Sequence, residues 1–375
     1  MKLLVYVPIL TPRIKYIFNF IFTEVLQTQI GFTSVLAEFQ VSDIPKISYA
    51  NRPVGDEIFF RNTDLLLEHK IARPTIKTTA FGDSIVPFAV ADSTLPFDVF
   101  AAAFYFVSRY EEYLPHTPDQ DGCFPVKLSL QNKLKLLEIP VIDAWALIIK
   151  NIIIKRYPNI LFFKKMFHFQ SLVCMYPDCH TTGSGFRSGA AAIVKKLTGL
   201  FRISLTEEAQ LAEIHAAIDK MEKPYAEKSR FFYKTTSSGA EECYGQISLP
   251  ASYLKLLKYE VTKDFRMGYT KTPGFRAGTC TPFFWYDLQL EKTTHLLVHP
   301  VVINDLSLPD RNIHAKEVLY KWKDILDTVK LLEGHYYMVW HQNHFAPGEK
   351  GKTVRKLYHD MLANFLTPTY DFQPQ

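Results

Sequence analysis

The sequence predicts an α/β protein built as two domains, an N-terminal α/β domain over residues 1–165 and a second α/β domain over 166–375. Three observations carry this prediction. The chain has 375 residues, more than one hydrophobic core usually serves. Its first forty residues read strand, helix, strand, the opening of a sheet flanked by helices. Its second half alternates apolar strand runs with amphipathic helical runs, which favours a parallel or barrel-like sheet.

In order along the chain, Leu3 to Val7 reads as a buried strand. Thr11 caps a helix whose first turn holds Pro12 and which continues through IKYIFNFIFTEVLQ. Phe32 to Glu38 reads as a second strand. Lys46 to Tyr49 and Glu57 to Phe60 are short strands around the turn Asn51-Arg52-Pro53-Val54-Gly55. Leu95 to His116 is apolar around most of its circumference, the mark of a central helix. Arg109, Glu111 and Glu112 at its end have two readings, a functional acid patch and, the favoured one, a solvated helix end with ordinary ion pairs. Ile139 to Ile154 is a second long helix, and Arg156 to Leu161, with Pro158, marks the domain boundary. After it come a strand at Phe167–Met175, helices at Thr206–Met221 and Leu249–Tyr259, and a strand at Thr294–Ile303. A helix at His314–Glu333, a strand at His335–Trp340 and a helix at Lys352–Phe365 complete the chain.

Composition narrows the function classes. Hydrophobic residues at 47% and charged residues at 22% are ordinary for a globular protein. The 29 Phe and 20 Tyr suit carbohydrate-facing surfaces, although aromatics also fill cores. A net charge of +5 without an arginine-rich block argues against nucleic acid as a partner. Five scattered cysteines with no CxxC pair fit reduced thiols and a cytoplasmic location. The N-terminal apolar run is broken by Pro8 and Pro12 and lacks a small-residue cleavage site, so no signal peptide is expected. The run LIIKNIII at 147–154 is too short to span a membrane, and no membrane span is expected elsewhere.

Chemistry concentrates at three strand ends: Asp178 with His180, Arg276, and His341 with His344. Aspartate and histidine are ligands of the zinc type. Arg276 lies in Gly274-Phe275-Arg276-Ala277-Gly278, within the stretch Gly268 to Leu288 that also holds the aromatic run Phe283-Phe284-Trp285-Tyr286. Glycines there let backbone approach closely, and an arginine in so tight a setting needs an acid partner. Two readings stay open: a structural turn whose arginine holds a buried acid, and a substrate or catalytic loop.

On these motifs, with LPFDVFAAAFYFVSRYEEYLPH and FPVKLSL in the first domain and GYTKTPGFRAGTCTPFFWYDL, LLVHP and MVWH in the second, the chain resembles the NodB-type polysaccharide deacetylases, carbohydrate esterase family four. It is most similar to two-domain bacterial members with an α/β domain ahead of the deacetylase-like one. The resemblance implies a reduced, distorted (β/α) barrel after about residue 165. It also implies zinc or another divalent metal and an acetylated glycan as substrate. Asp178 matches the metal-binding aspartate, Arg276 the arginine that tunes the base, and His341 the late histidine acting as acid. Arg276 is therefore expected within hydrogen-bonding reach of Asp178 or His341. Two departures accompany the match. The base position holds Tyr176, whose ordinary pKa of about 10 makes it a poor base. The paired-histidine segment is missing, leaving His180 and His344 as the candidate ligands beside Asp178. The implied function is metal-dependent removal of acetyl groups from a bacterial glycan. The alternative is a catalytically degenerate relative that serves as a glycan-binding or protein-interaction module.

Overall fold

A computed structural model describes residues 2–175, 247–308, 315–345 and 349–366, with short pieces between 214 and 242. The first half carries a four-stranded parallel sheet in the order β2-β1-β3-β4: β1 Leu3–Tyr6, β2 Ile30–Thr33, β3 Lys46–Ala50 and β4 Ile58–Arg61. Thr11 caps the helix Pro12–Asn19 as the sequence predicts, accepting from the Ile14 amide at 3.1 Å while donating to the Leu66 carbonyl. That helix runs on as a π-helical turn, Phe20–Val25. The strand expected over 32–38 is shorter and earlier. After β2 the chain turns into the helix Leu36–Val41. A hairpin of β5 Thr78–Phe81 and β6 Ser84–Pro87 was not legible in the sequence.

The apolar helix starts at Val99 and ends at Val107, inside the expected 95–116. Asp98 sets its start by accepting from the Ala101 amide. Arg109 ends it, because its backbone is left-handed, with φ of 55°. All nine helical residues are buried. The second long helix, Val141–Arg156, sits two residues beyond its expected span.

The second sheet has seven described strands in the path β8-β7-β13-β12-β10-β9, parallel throughout, with β11 antiparallel on β12. They are β7 His168–Met175, β8 Ser229–Tyr233, β9 Glu241–Glu242, β10 Lys263–Met267, β11 Phe283–Asp287, β12 Lys292–Asn304 and β13 His335–His341. Among the described residues this path is open, with β8 and β9 at its ends. The helices Ala315–Leu331 and Glu349–Leu366 cover one face, packing Trp322, Leu326 and Tyr358 against Tyr336, Met338 and Trp340 of β13. The opposite face presents Leu172, Cys174, Phe265, Val301, Tyr337 and Val339. Alternation along β13 makes this division: even positions meet the helices and odd positions face the other way. The molecule is thus a mixed α/β protein with two parallel sheets.

The two sheets share one hydrophobic cluster. Phe18, Phe100, Phe104 and Trp145 of the first half pack with Phe283, Trp285, Tyr286, Leu296 and Val298 of the second. Tyr286 lies 4.8 Å from Tyr16 and 5.3 Å from Phe104, ring centre to ring centre. The 13-residue β12 runs through both cores. Its first part contributes Leu296 and Val298 to this shared cluster, and its end contributes Val302 and Ile303 to the helix-covered one.

Candidate functional site

A cavity of about 330 Å³ opens at the C-terminal ends of β10, β12 and β13. That is the edge at which open α/β sheets place their ligands. His341, the last residue of β13, faces it, as do Asn304 at the end of β12 and Arg266 with Gly268 to Thr272 after β10. The remaining wall comes from the first half, residues Asp119 to Lys127, and Arg276 reaches it from beneath. His341 and Arg276, which the resemblance puts in one site, both line this cavity.

His341 is oriented by Asp305. Its Nδ1 lies 2.6 Å from Asp305 Oδ1, and its backbone amide donates to Asp305 Oδ2 at 2.8 Å. His344 Nδ1 lies 2.8 Å from the same Oδ2 but outside hydrogen-bonding alignment. Asp305 is fully buried at the start of a short 3-10 turn, Asp305–Ser307. Burial alone would raise its carboxyl pKa, but the two histidines outweigh that and hold it below the usual carboxylate range. An ionised Asp305 accepting from Nδ1–H orients the His341 ring. Asp305 did not stand out in the sequence. Its one signal is position: like His341, it follows an apolar strand directly, where α/β folds gather polar residues.

Arg276 has a different carboxylate from the one the resemblance implies. Its Nε donates to Glu112 Oε1 at 2.9 Å and its Nη2 to Glu112 Oε2 at 2.7 Å, a two-point pair buried on both sides. Its other hydrogen bonds go to the carbonyls of Gly268 and Ile247. Glu112 also accepts from Arg109 Nε at 2.8 Å. Arg109 in turn reaches Glu111 at 2.9 Å, Gln131 at 3.2 Å, and the Arg276 carbonyl. Of the two open readings of this loop, its hydrogen bonds match the turn that holds a buried acid. The reading of Arg109, Glu111 and Glu112 as a solvated helix end is corrected. Arg109 is fully buried, Glu111 and Glu112 nearly so. Burial alone would raise the Glu112 pKa, but Arg276 and Arg109 outweigh it and hold the carboxyl low.

The whole Gly268–Leu288 stretch is stitched to the first half. The Phe275 amide donates to the Leu137 carbonyl, and the Gln131 side chain donates to the Phe275 carbonyl. The Ile142 amide donates to the Gly278 carbonyl. Asp143, in the first turn of Val141–Arg156, accepts from the Thr279 hydroxyl at 2.6 Å, the Cys280 amide at 3.0 Å and the Thr281 hydroxyl at 2.6 Å. Gly274 has φ of +136°, and a Cβ there would stand 2.6 Å from the Leu137 carbonyl, so only glycine fits.

Tyr176, Asp178 and His180, the implied base position and two of the three candidate metal ligands, lie outside the described residues. Among the described residues no three His, Cys, Asp or Glu side chains converge as a metal site. No described helix is long and apolar enough to cross a membrane. His295 is exposed, whereas His299 stacks on Phe265 at 4.2 Å.

Residues 3–158 match the model of a family of unknown function, DUF7033. No curated protein and no solved structure matches the chain.

Proposed function

We propose that the cavity at the C-terminal ends of β10, β12 and β13 is the active site of a deacetylase-like hydrolase acting on an acetylated glycan, with His341 as its acid–base group. One observation supports this most: a histidine whose Nδ1 is held by a buried carboxylate lines a cavity large enough for a small organic group. In this reading Asp305 positions His341 so that Nε2 takes up or delivers the proton of the reacting amide or ester. Arg276 keeps the floor in place through Glu112. The second sheet is the reduced (β/α) barrel that the resemblance implies. Asp178, His180 and His344 would hold a divalent metal, zinc by that resemblance, which would supply activated water.

The degenerate reading, a glycan-binding or protein-interaction module, draws support from the same loop. Arg276 is bound to Glu112 at two points, which leaves it little freedom to tune a catalytic base. Acetate release from p-nitrophenyl acetate and from chitooligosaccharides separates the two. The catalytic reading expects turnover that falls at least about 100-fold in His341→Ala and about 10-fold or more in Asp305→Asn, with folding intact by circular dichroism. Metal analysis of the parent and of Asp178→Ala accompanies these assays. No turnover in the parent with zinc supplied overturns the catalytic reading.

A further inference from the structure

A second, larger cavity of about 790 Å³ lies against the other side of the 119–127 loop. Asp119, Phe124, Pro125 and Lys127 line both cavities, so this loop is the partition between them. The floor of the larger cavity is apolar and aromatic, with Ile76, Leu114 and Phe124. Tyr105, only 5% exposed, lines the cavity. Burial, with Glu111 adding to it, pushes its pKa above the ordinary value, so it is a neutral donor. Arg73 and Lys133 stand at the rim beside Lys127, all three exposed and without an acidic partner among the described residues.

The acids nearby are already engaged. Glu111 pairs with Arg109 and accepts from the Leu130 amide. Asp119 accepts from the amides of Asp121 and Cys123. With Glu111 offset by Arg109, the charged side chains left lining the cavity are these three cations and Asp119, a net positive wall over an apolar floor, with Tyr105, His116, Thr117 and Gln120 as its polar groups. A net positive wall favours an anionic group over a neutral polyol.

We propose that this cavity is a subsite for a negatively charged sugar of an oligosaccharide whose neighbouring unit occupies the His341 cavity across the 119–127 loop. The inference rests on the glycan reading above and adds the class of glycan: an acidic one. Arg73, Lys127 and Lys133 take the anionic group and Tyr105 donates to it from below. The crest of the loop, residues 119–122, is exposed and open to a chain laid across it.

Isothermal titration of the full chain with pentagalacturonate, with phosphopentamannose and with neutral cellopentaose tests this. The carboxylate and phosphate arms identify which anion is taken. At least one acidic pentamer is expected to bind about tenfold or more tighter than the neutral one, and more weakly as sodium chloride rises from 50 to 300 mM. Arg73→Gln with Lys133→Gln is expected to remove most of that advantage, and Tyr105→Phe to weaken acidic binding several-fold. Lys164→Gln, an exposed lysine elsewhere, is the control. Acidic pentamers that bind no tighter than cellopentaose, or tight binding untouched by the Arg73, Lys133 and Tyr105 changes, overturn the proposal. Hydrolysis of p-nitrophenyl acetate, a small neutral probe, is scored separately. Its absence with acidic binding intact removes the catalytic reading and leaves this subsite standing.

Discussion

Asp98 serves four donors with two oxygens. Oδ1 caps the Val99–Val107 helix, and Oδ2 accepts from the Tyr49 hydroxyl and from both the amide and the hydroxyl of Thr63. Burial lifts its pKa to about 6 despite those hydrogen bonds, which lower it. The unfolded value is near 3.8, so the folded value is the higher one. Its contribution to stability is thus complete below pH 3.8 and is lost as pH rises through about 6. The difference corresponds to about 3 kcal/mol. Asp98→Asn cannot titrate, and its amide nitrogen meets the Thr63 N–H badly. The variant is expected to be less stable at pH 4, with the gap to the parent narrowing by up to about 3 kcal/mol by pH 7. Urea unfolding at several pH values measures this, and a constant gap contradicts it. Of the residues that matter, some were legible at this scale. Thr11 before Pro12 is a local signal, read from neighbours in the chain. Asp98 did not stand out because it falls inside the expected 95–116 helix, and Asp305 because only its tertiary contact with His341 distinguishes it.

At the scale of elements, the Gly268–Leu288 stretch decides most. Its glycines announced a close backbone approach, and its arginine announced an acid. The identity of that acid was hidden because Glu112 lies 164 residues earlier, and no local pattern encodes a partner at that distance. The left-handed Arg109 turn was hidden too, since arginine has no preference for that conformation. Glu112→Gln leaves the buried Arg276 guanidinium without its carboxylate and takes one of two from Arg109, and is expected to cost about 3–5 kcal/mol. Arg276→Met in the same chain is expected to recover part of that loss, because it removes the stranded charge. A double-mutant cycle on unfolding free energies measures the coupling, and strict additivity contradicts it. Gly274→Ala is expected to destabilise by more than about 2 kcal/mol, since the new methyl collides with backbone at a φ that alanine avoids. Differential scanning fluorimetry checks it: an unchanged melting temperature contradicts the close approach.

Across the whole molecule, the parallel α/β character was legible because strand and helix periods alternate and survive any error of a residue or two in their ends. The joining of the halves was not. Periodicity says that Phe104 and Trp285 are buried, never that they are buried in one cluster. One consequence is cooperative: calorimetry of the full chain is expected to show a single unfolding transition, and residues 1–165 expressed alone to lack a cooperative one. Two well-separated transitions, or a fragment that melts sharply, contradict the shared core. The same cluster also bears on how the chain is made. The aromatic residues of the first half that meet Phe283 and Tyr286 leave the ribosome roughly 180 to 270 residues ahead of them, about 9–54 s at ordinary elongation rates. For that interval Tyr16, Phe20 and Phe104 have no cover from their final neighbours, so a nascent chain stalled before residue 283 is a substrate for chaperones.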